Sequence, residues 1–143
     1  MQAALAMLVG VLNFAAGDPG LPYAVTPTAP ELHALGSRLA HDLRAAGTPA
    51  RQLNVTCDDA ACARRAGAAR HVRQVIFCSA TRHMAMIWTA RASVVDVASG
   101  HVTGPYDIGY KGDYDAIAAG LDELASAMLP ALGKSGAVAR AKH

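Results

Sequence analysis

The chain has 143 residues, 52% of them apolar and only 17% charged, a balance that excludes an intrinsically disordered chain. One domain of this length buries about 68–70% of its unfolded surface, so no metal or cofactor is needed to hold its core and none is expected. The formal net charge is +2, and the 13 basic residues are scattered among 11 acidic ones, which argues against the dense basic face of a nucleic-acid binder.

No apolar run reaches the ~18 residues of a membrane-spanning helix, so none is expected. The N-terminal stretch Met1–Phe14 is apolar but has no Lys or Arg ahead of it, unlike a signal peptide. Its second half, Ala6–Phe14, reads instead as a strand buried on both faces. The expectation is a mature form whose targeting segment has been removed, with a cytoplasmic protein that never carried one as the alternative.

The segment from Gly17 to Pro30 is rich in proline and reads as a long loop, a kind of segment that is often functional. It ends in Thr28-Ala29-Pro30-Glu31, a capping box with proline in the first turn. Leu32, Leu35, Leu39 and Leu43 then recur at helical spacing until Gly47 and Pro49 stop the helix. Arg51–Thr56 reads as a second strand. Asp58 is the expected N-cap of a second helix, Asp59 to about Ala66, with Gly67 as its stop.

Three strands should follow: Val72–Thr81, Met86–Val97 and His101–Tyr110. Gly100 is placed for a three-residue hairpin loop with a bulge, and Gly104-Pro105 suggests an edge strand or a bulge. Asp113 or Asp115 caps a final helix on which Ile117, Leu121, Leu124, Met128 and Leu132 form one apolar stripe. The expected order is β-α-β-α-β-β-β-α, an α/β (α+β) fold with a mixed sheet of about five strands and helices mainly on one face. The parallel crossovers should be right-handed. One domain is expected over 1–133, with 134–143 as a frayed tail.

With Asp58 as N-cap, Cys57 falls at N′ and Cys62 at N4, positions that approach each other at a helix start. A structural disulfide between them is geometrically plausible. Two reduced core thiols, or a redox or metal pair, are the alternatives, although the C-x4-C spacing matches neither thioredoxin-like nor zinc patterns. Cys78, inside a strand, reads as a small hydrophobe. A disulfide would point to an oxidising compartment such as the periplasm.

The run Cys57-x4-Cys62-Ala63-Arg64-Arg65-Ala66-Gly67-Ala68, followed by Val94-Val95-Asp96-Val97-Ala98-Ser99-Gly100, resembles a pattern in small secreted bacterial proteins. Val9–Phe14 is similar to the first strand of the same group. The resemblance covers residues 8–130 and implies a fold similar to the N-terminal domain of the TolB translocation protein and to curli-secretion-like lipoproteins. It departs at His71-Val72, where an acidic residue is usual, and at Ala66-Gly67, where Leu-Gly is usual. The resemblance carries no catalytic residues. It implies a docking module for other envelope proteins and not an enzyme.

The residues themselves offer little chemistry. None of the six histidines stands three, four or five positions from another, there is no G-x-S-x-G elbow, and Gly17-x-x-Gly20 lacks the Lys of a phosphate loop. No catalytic residue is therefore assigned. Asp107, Asp113 and Asp115 are weak candidates for a hard cation, with helix capping and a turn as the plainer explanation.

Tyr106, Tyr110 and Tyr114, together with Met84, Met86 and Trp88 at a hairpin tip, are the candidates for contact with a partner, the tip residues being core if the sheet curls. The expected function is a non-enzymatic periplasmic module that binds another envelope protein through a sheet edge, the Gly17–Pro30 loop or the Met84–Trp88 turn. Self-association through a sheet edge is a further possibility. The alternatives are a protein that binds a small ligand or metal ion through the Asp/Tyr segment, and a small enzyme.

Overall fold

The computed structural model describes residues 8–17, 24–84 and 86–132. The expected 134–143 tail, part of the Gly17–Pro30 loop and the start of the Ala6–Phe14 strand lie outside them. The described elements are β1 (Val9–Asn13), β2 (Ala15–Ala16), β3 (Ala24–Val25), α1 (Ala29–Ala45), β4 (Ala50–Thr56), α2 (Ala60–Ala69), β5 (Gln74–His83), β6 (Ile87–Asp96), β7 (Val102–Lys111) and α3 (Tyr114–Met128). A short 3-10 turn, Leu129–Ala131, follows α3.

The five long strands lie in the order β4-β1-β5-β6-β7. β1 runs parallel to both β4 and β5, whereas β5, β6 and β7 form an antiparallel meander. The α/β architecture read from the sequence is the one found. Two short strands add to the sheet: β2, just before the proline-rich segment, continues alongside β5 at Ser79–Ala80, and β3, within it, pairs antiparallel with Arg82 and His83.

Strand alternation sends side chains to two different cores. Val9 and Val11 of β1, Ile76 and Cys78 of β5, and Trp88, Ala90, Ala92 and Val94 of β6 pack under α1 and α3. Leu35, Leu39 and Leu43 of α1 and Ile117, Leu121, Leu124 and Met128 of α3 close that core from above. On the opposite face Leu12, Leu53, Val72, Val75 and Val95 pack with Cys57 and Ala63. Two described helices thus share one face and α2 takes the other.

The caps follow the sequence closely, with one shift. Thr28 and Glu31 form the expected capping box, and Asp113 caps α3 by accepting from the amides of Asp115 and Ala116. The N-cap of α2 is Asp59 and not Asp58: its carboxylate accepts from the Cys62 amide at 2.7 Å. Gly67 does not stop this helix but lies within it, buried where α2 crosses β5. A Cβ at Gly67 would collide with Val75 Cγ2 and stand 2.7 Å from Val97 Cγ2, so the close approach requires glycine. The β6–β7 connection, Val97–His101, is longer than the three-residue loop anticipated and is closed by the Asp96 amide donating to the His101 carbonyl at 2.8 Å. Gly100 takes a φ of 79°, the left-handed region anticipated for it.

Cys57 and Cys62 are joined, with Cα atoms 5.6 Å apart. The bond ties the end of β4 to the first turn of α2. Replacing both cysteines with serine is expected to lower stability by about 2 kcal/mol, the loop-closure value for so short a ring. Urea unfolding of the wild type with and without reductant, beside the double variant, measures it; equal stability in all three would rule out a structural role.

α2 is short. Its ten residues rise ~15 Å, against ~33 Å for a ten-residue strand, so it covers about half of its face. The uncovered half carries Ser79, Thr81, Thr89, Arg91 and Asp107, the polar outer face expected of an antiparallel sheet that meets water. No described helix is long and apolar enough to cross a membrane.

Candidate functional site

The side chains predicted to meet a partner separate into two groups. Trp88 is a correction: it is 0% exposed, packed beneath the helices and not at the surface. The Tyr114 ring meets it edge-on at 6.1 Å, and the Arg82 guanidinium lies 5.3 Å from its ring centre. Tyr106, Tyr110 and Tyr114 are half-buried against the same core. The Tyr110 ring lies over Gly120 of α3, where an added Cβ would collide with it, and its hydroxyl donates to the Glu123 carboxylate. That hydrogen bond, then burial and the negative charges of Glu123 and Asp122, raise the Tyr110 pKa. Burial, followed by the charge of Glu31, does the same for Tyr114, with Arg38 opposing. Tyr110 thus ties β7 to α3, and Tyr114 seats α3 on Trp88 of β6.

Met84 and Met86 are different. They are 57% and 52% exposed at the β5–β6 tip, and they have company. Ile87 opens β6 beside them, and Val25 of β3 sits across from Arg82. Four of the five large apolar side chains exposed among the described residues lie toward one end of the sheet, Val25 on the face of Trp88 and Ile87 on the other, the fifth being Val102. Ile87 was legible in the strand phase: with Trp88 inward, its neighbour must point outward. Val25 was hidden because β3 is two residues long and is defined only by its pairing.

The tip is continuous with an open strand edge. Ile87 pairs with Lys111 at the end of β7, and the Gly112 amide donates to the Met86 carbonyl at 2.6 Å. β7 is the last strand of the sheet, and no described strand pairs with its outer side. Pro105 removes one of its donors and the register shifts opposite Ala92–Val94, features that blunt part of an edge. The stretch from Tyr106 to Lys111 keeps an unbroken register with β6.

The acidic candidates are not brought together. Asp107 holds Arg91 at 2.6 Å on the uncovered sheet face, Asp113 is committed to capping, and Asp115 lies in the first turn of α3. Among the described residues no three His, Cys, Asp or Glu side chains converge as a metal site would require. Cys78 is buried, and burial pushes its thiol pKa far above the ordinary value, so it is held as the neutral thiol.

No protein-family model matches the chain, and no curated protein matches it by sequence. Solved structures do match by fold. A dodecamer of a PelC point variant from Paraburkholderia phytofirmans superposes with a TM-score of 0.58 at 17% identity, over 90% of this chain and 89% of that one. TolB from Acinetobacter baumannii gives 0.55 at 12% identity, over 86% of this chain but 28% of its own longer chain. Lipoprotein GNA1162 from Neisseria meningitidis gives 0.50 at 14% identity, over 88% and 94%. At such identities the likeness is one of fold, and the TolB-like fold implied by the cysteine helix and the Asp96 turn is the fold this chain has.

Proposed function

We propose that the chain is a non-enzymatic docking module of the bacterial cell envelope, working in the periplasm and binding another envelope protein through the hairpin tip and the adjoining edge of β7. One observation carries the proposal: Met84, Met86 and Ile87 stand exposed together at the hairpin tip, at the end of an open strand edge. Added strands take their affinity from backbone hydrogen bonds and their choice of partner from side-chain contacts beside them. The tip would supply the second and β7 the first. The disulfide supports an oxidising compartment, since such bonds persist there and not in the cytosol. Structural neighbours of the same fold include TolB and a lipoprotein, and PelC is described as a dodecamer, so a second copy of this chain is among the partners to be tested.

The test is the double substitution Met86→Asp with Ile87→Asp. Both side chains already face water, so the expected change in folding stability is within about 0.5 kcal/mol. Binding should fall at least tenfold, read both by sedimentation for self-association and by quantitative capture from envelope extract. A variant that assembles and captures as the wild type does would remove the tip from the proposal.

A further inference from the structure

β1 and β4 are parallel neighbours whose following helices lie on opposite faces of the sheet, α1 under one core and α2 under the other. Open α/β sheets place their ligands outside the carboxyl ends of their strands, and the first turns of α1 line the space beyond those of β1 and β4. A crevice of about 480 Å³ occupies this position. Its size falls within the range of ligand pockets, roughly 300–1,000 Å³. The strand register also breaks here: Leu12 pairs with Leu53, but Asn13 pairs with Thr56, an irregularity of the kind that re-aims side chains.

The polar lining has a direction. Gln52 Nε2 donates to both Asn13 Oδ1 at 2.8 Å and the His33 carbonyl at 3.0 Å, and Asn13 Nδ2 donates to Asn54 Oδ1 at 2.9 Å. This relay ends on the side-chain N–H groups of Asn54, which are donors. Thr56 and Asp58 stand beside them in the lining, and the Asp58 carboxylate has no hydrogen bond or ion pair among the described residues. Phe14 and Leu32, with alanines on either side, supply the apolar part.

The crevice is not built for an anion. Neither Lys nor Arg lines it. The helix termini that adjoin it are answered from within: Glu31 and Thr28 satisfy each other, and Asp59 accepts from Cys62. Arg91, which shares the neighbouring hollow with Asp58, is held by Asp107. What is left is the Asp58 carboxylate, the Asn54 amide, the Thr56 hydroxyl and the His33 ring beside an apolar wall.

We propose that this crevice captures the free N-terminus of a peptide or protein chain. The α-ammonium donates to Asp58, the first carbonyl accepts from Asn54, and the first side chain, a small one, rests near Leu32. Capture of a terminal amine is a known mode of peptide recognition, and this one rests on residues separate from the hairpin tip, so either site can fail without the other.

The probe is L-alanyl-L-alaninamide, titrated into nitrogen-labelled protein and followed by amide NMR. Its N-acetyl form and inorganic phosphate are the controls. The free-amine dipeptide should shift the amides of Asn13, Asn54, Thr56 and Asp58 in a saturable manner. N-acetylation should weaken this at least tenfold, and so should Asp58→Asn in a protein whose remaining spectrum is unchanged. Equal binding of the acetylated peptide, a stronger response to phosphate, or no shift at these amides would overturn the proposal.

Discussion

Trp88→Ala is expected to lower stability by about 3–5 kcal/mol, the range for truncating a large buried aromatic side chain. The indole is fully buried between β6 and the helices, touched edge-on by Tyr114 and covered by the Arg82 guanidinium, so its loss leaves a cavity and removes two ring contacts. A typical domain is stable by roughly 5–15 kcal/mol, so the variant should sit near the edge of folding. Trp88→Phe should cost well under half as much. Trp88 Nε1 has no hydrogen-bond partner among the described residues, so phenylalanine gives up volume but also removes an unsatisfied buried donor. Because this is the chain's single tryptophan, far-UV circular dichroism in urea is the suitable readout. A loss below about 1 kcal/mol for the alanine variant would mean that the side chain does not fill the core, against the packing described.

Gly67→Val should be nearly as severe, at about 3 kcal/mol, the upper part of the usual range for overpacking. The first carbon of any side chain at this position collides with a γ-carbon of Val75 and meets one of Val97 at 2.7 Å. Both neighbours are β-branched, and Val75 belongs to a central strand, so neither can turn aside cheaply. The helix must lift from the sheet. Gly47→Ala is the control: nothing lies within 4 Å of its Cβ position, so any cost there comes from its φ of 95° and not from crowding. Thermal unfolding of both variants decides the matter, and a Gly67→Val protein as stable as the wild type would show that α2 does not dock on β5 at this glycine.

Gly67 also shows where reading the chain alone reached its limit. A glycine near the end of a short helix is as consistent with a stop as with a crossing point, and only the position of Val75 and Val97 in space distinguishes them. The same holds at the hairpin tip. Alternation along β6 puts either Trp88 or Ile87 inside, and the bulkier residue takes the core; Tyr106, Tyr110 and Tyr114 likewise turned inward once α3 was laid across β7. The five long strands, the capping box of α1 and the leucine stripes were legible because their signals are local. The crevice between β1 and β4 was not, because Asn13, Gln52 and Asn54 come together only through a parallel pairing that spans some forty positions of sequence.

The cysteines have a consequence for how the chain matures. Three thiols can pair in three ways, and during folding Cys78 is as reactive as the others, since its protection depends on the finished core. Cys57 and Cys62 are separated by 5 positions, whereas the wrong pairings must close chains of 16 and 21 residues. Ring closure in a flexible chain becomes less frequent as the loop lengthens, so encounter favours the correct pair before any native structure exists. An oxidising environment thus selects the right bond by proximity, and burial then removes the spare sulfur from further exchange.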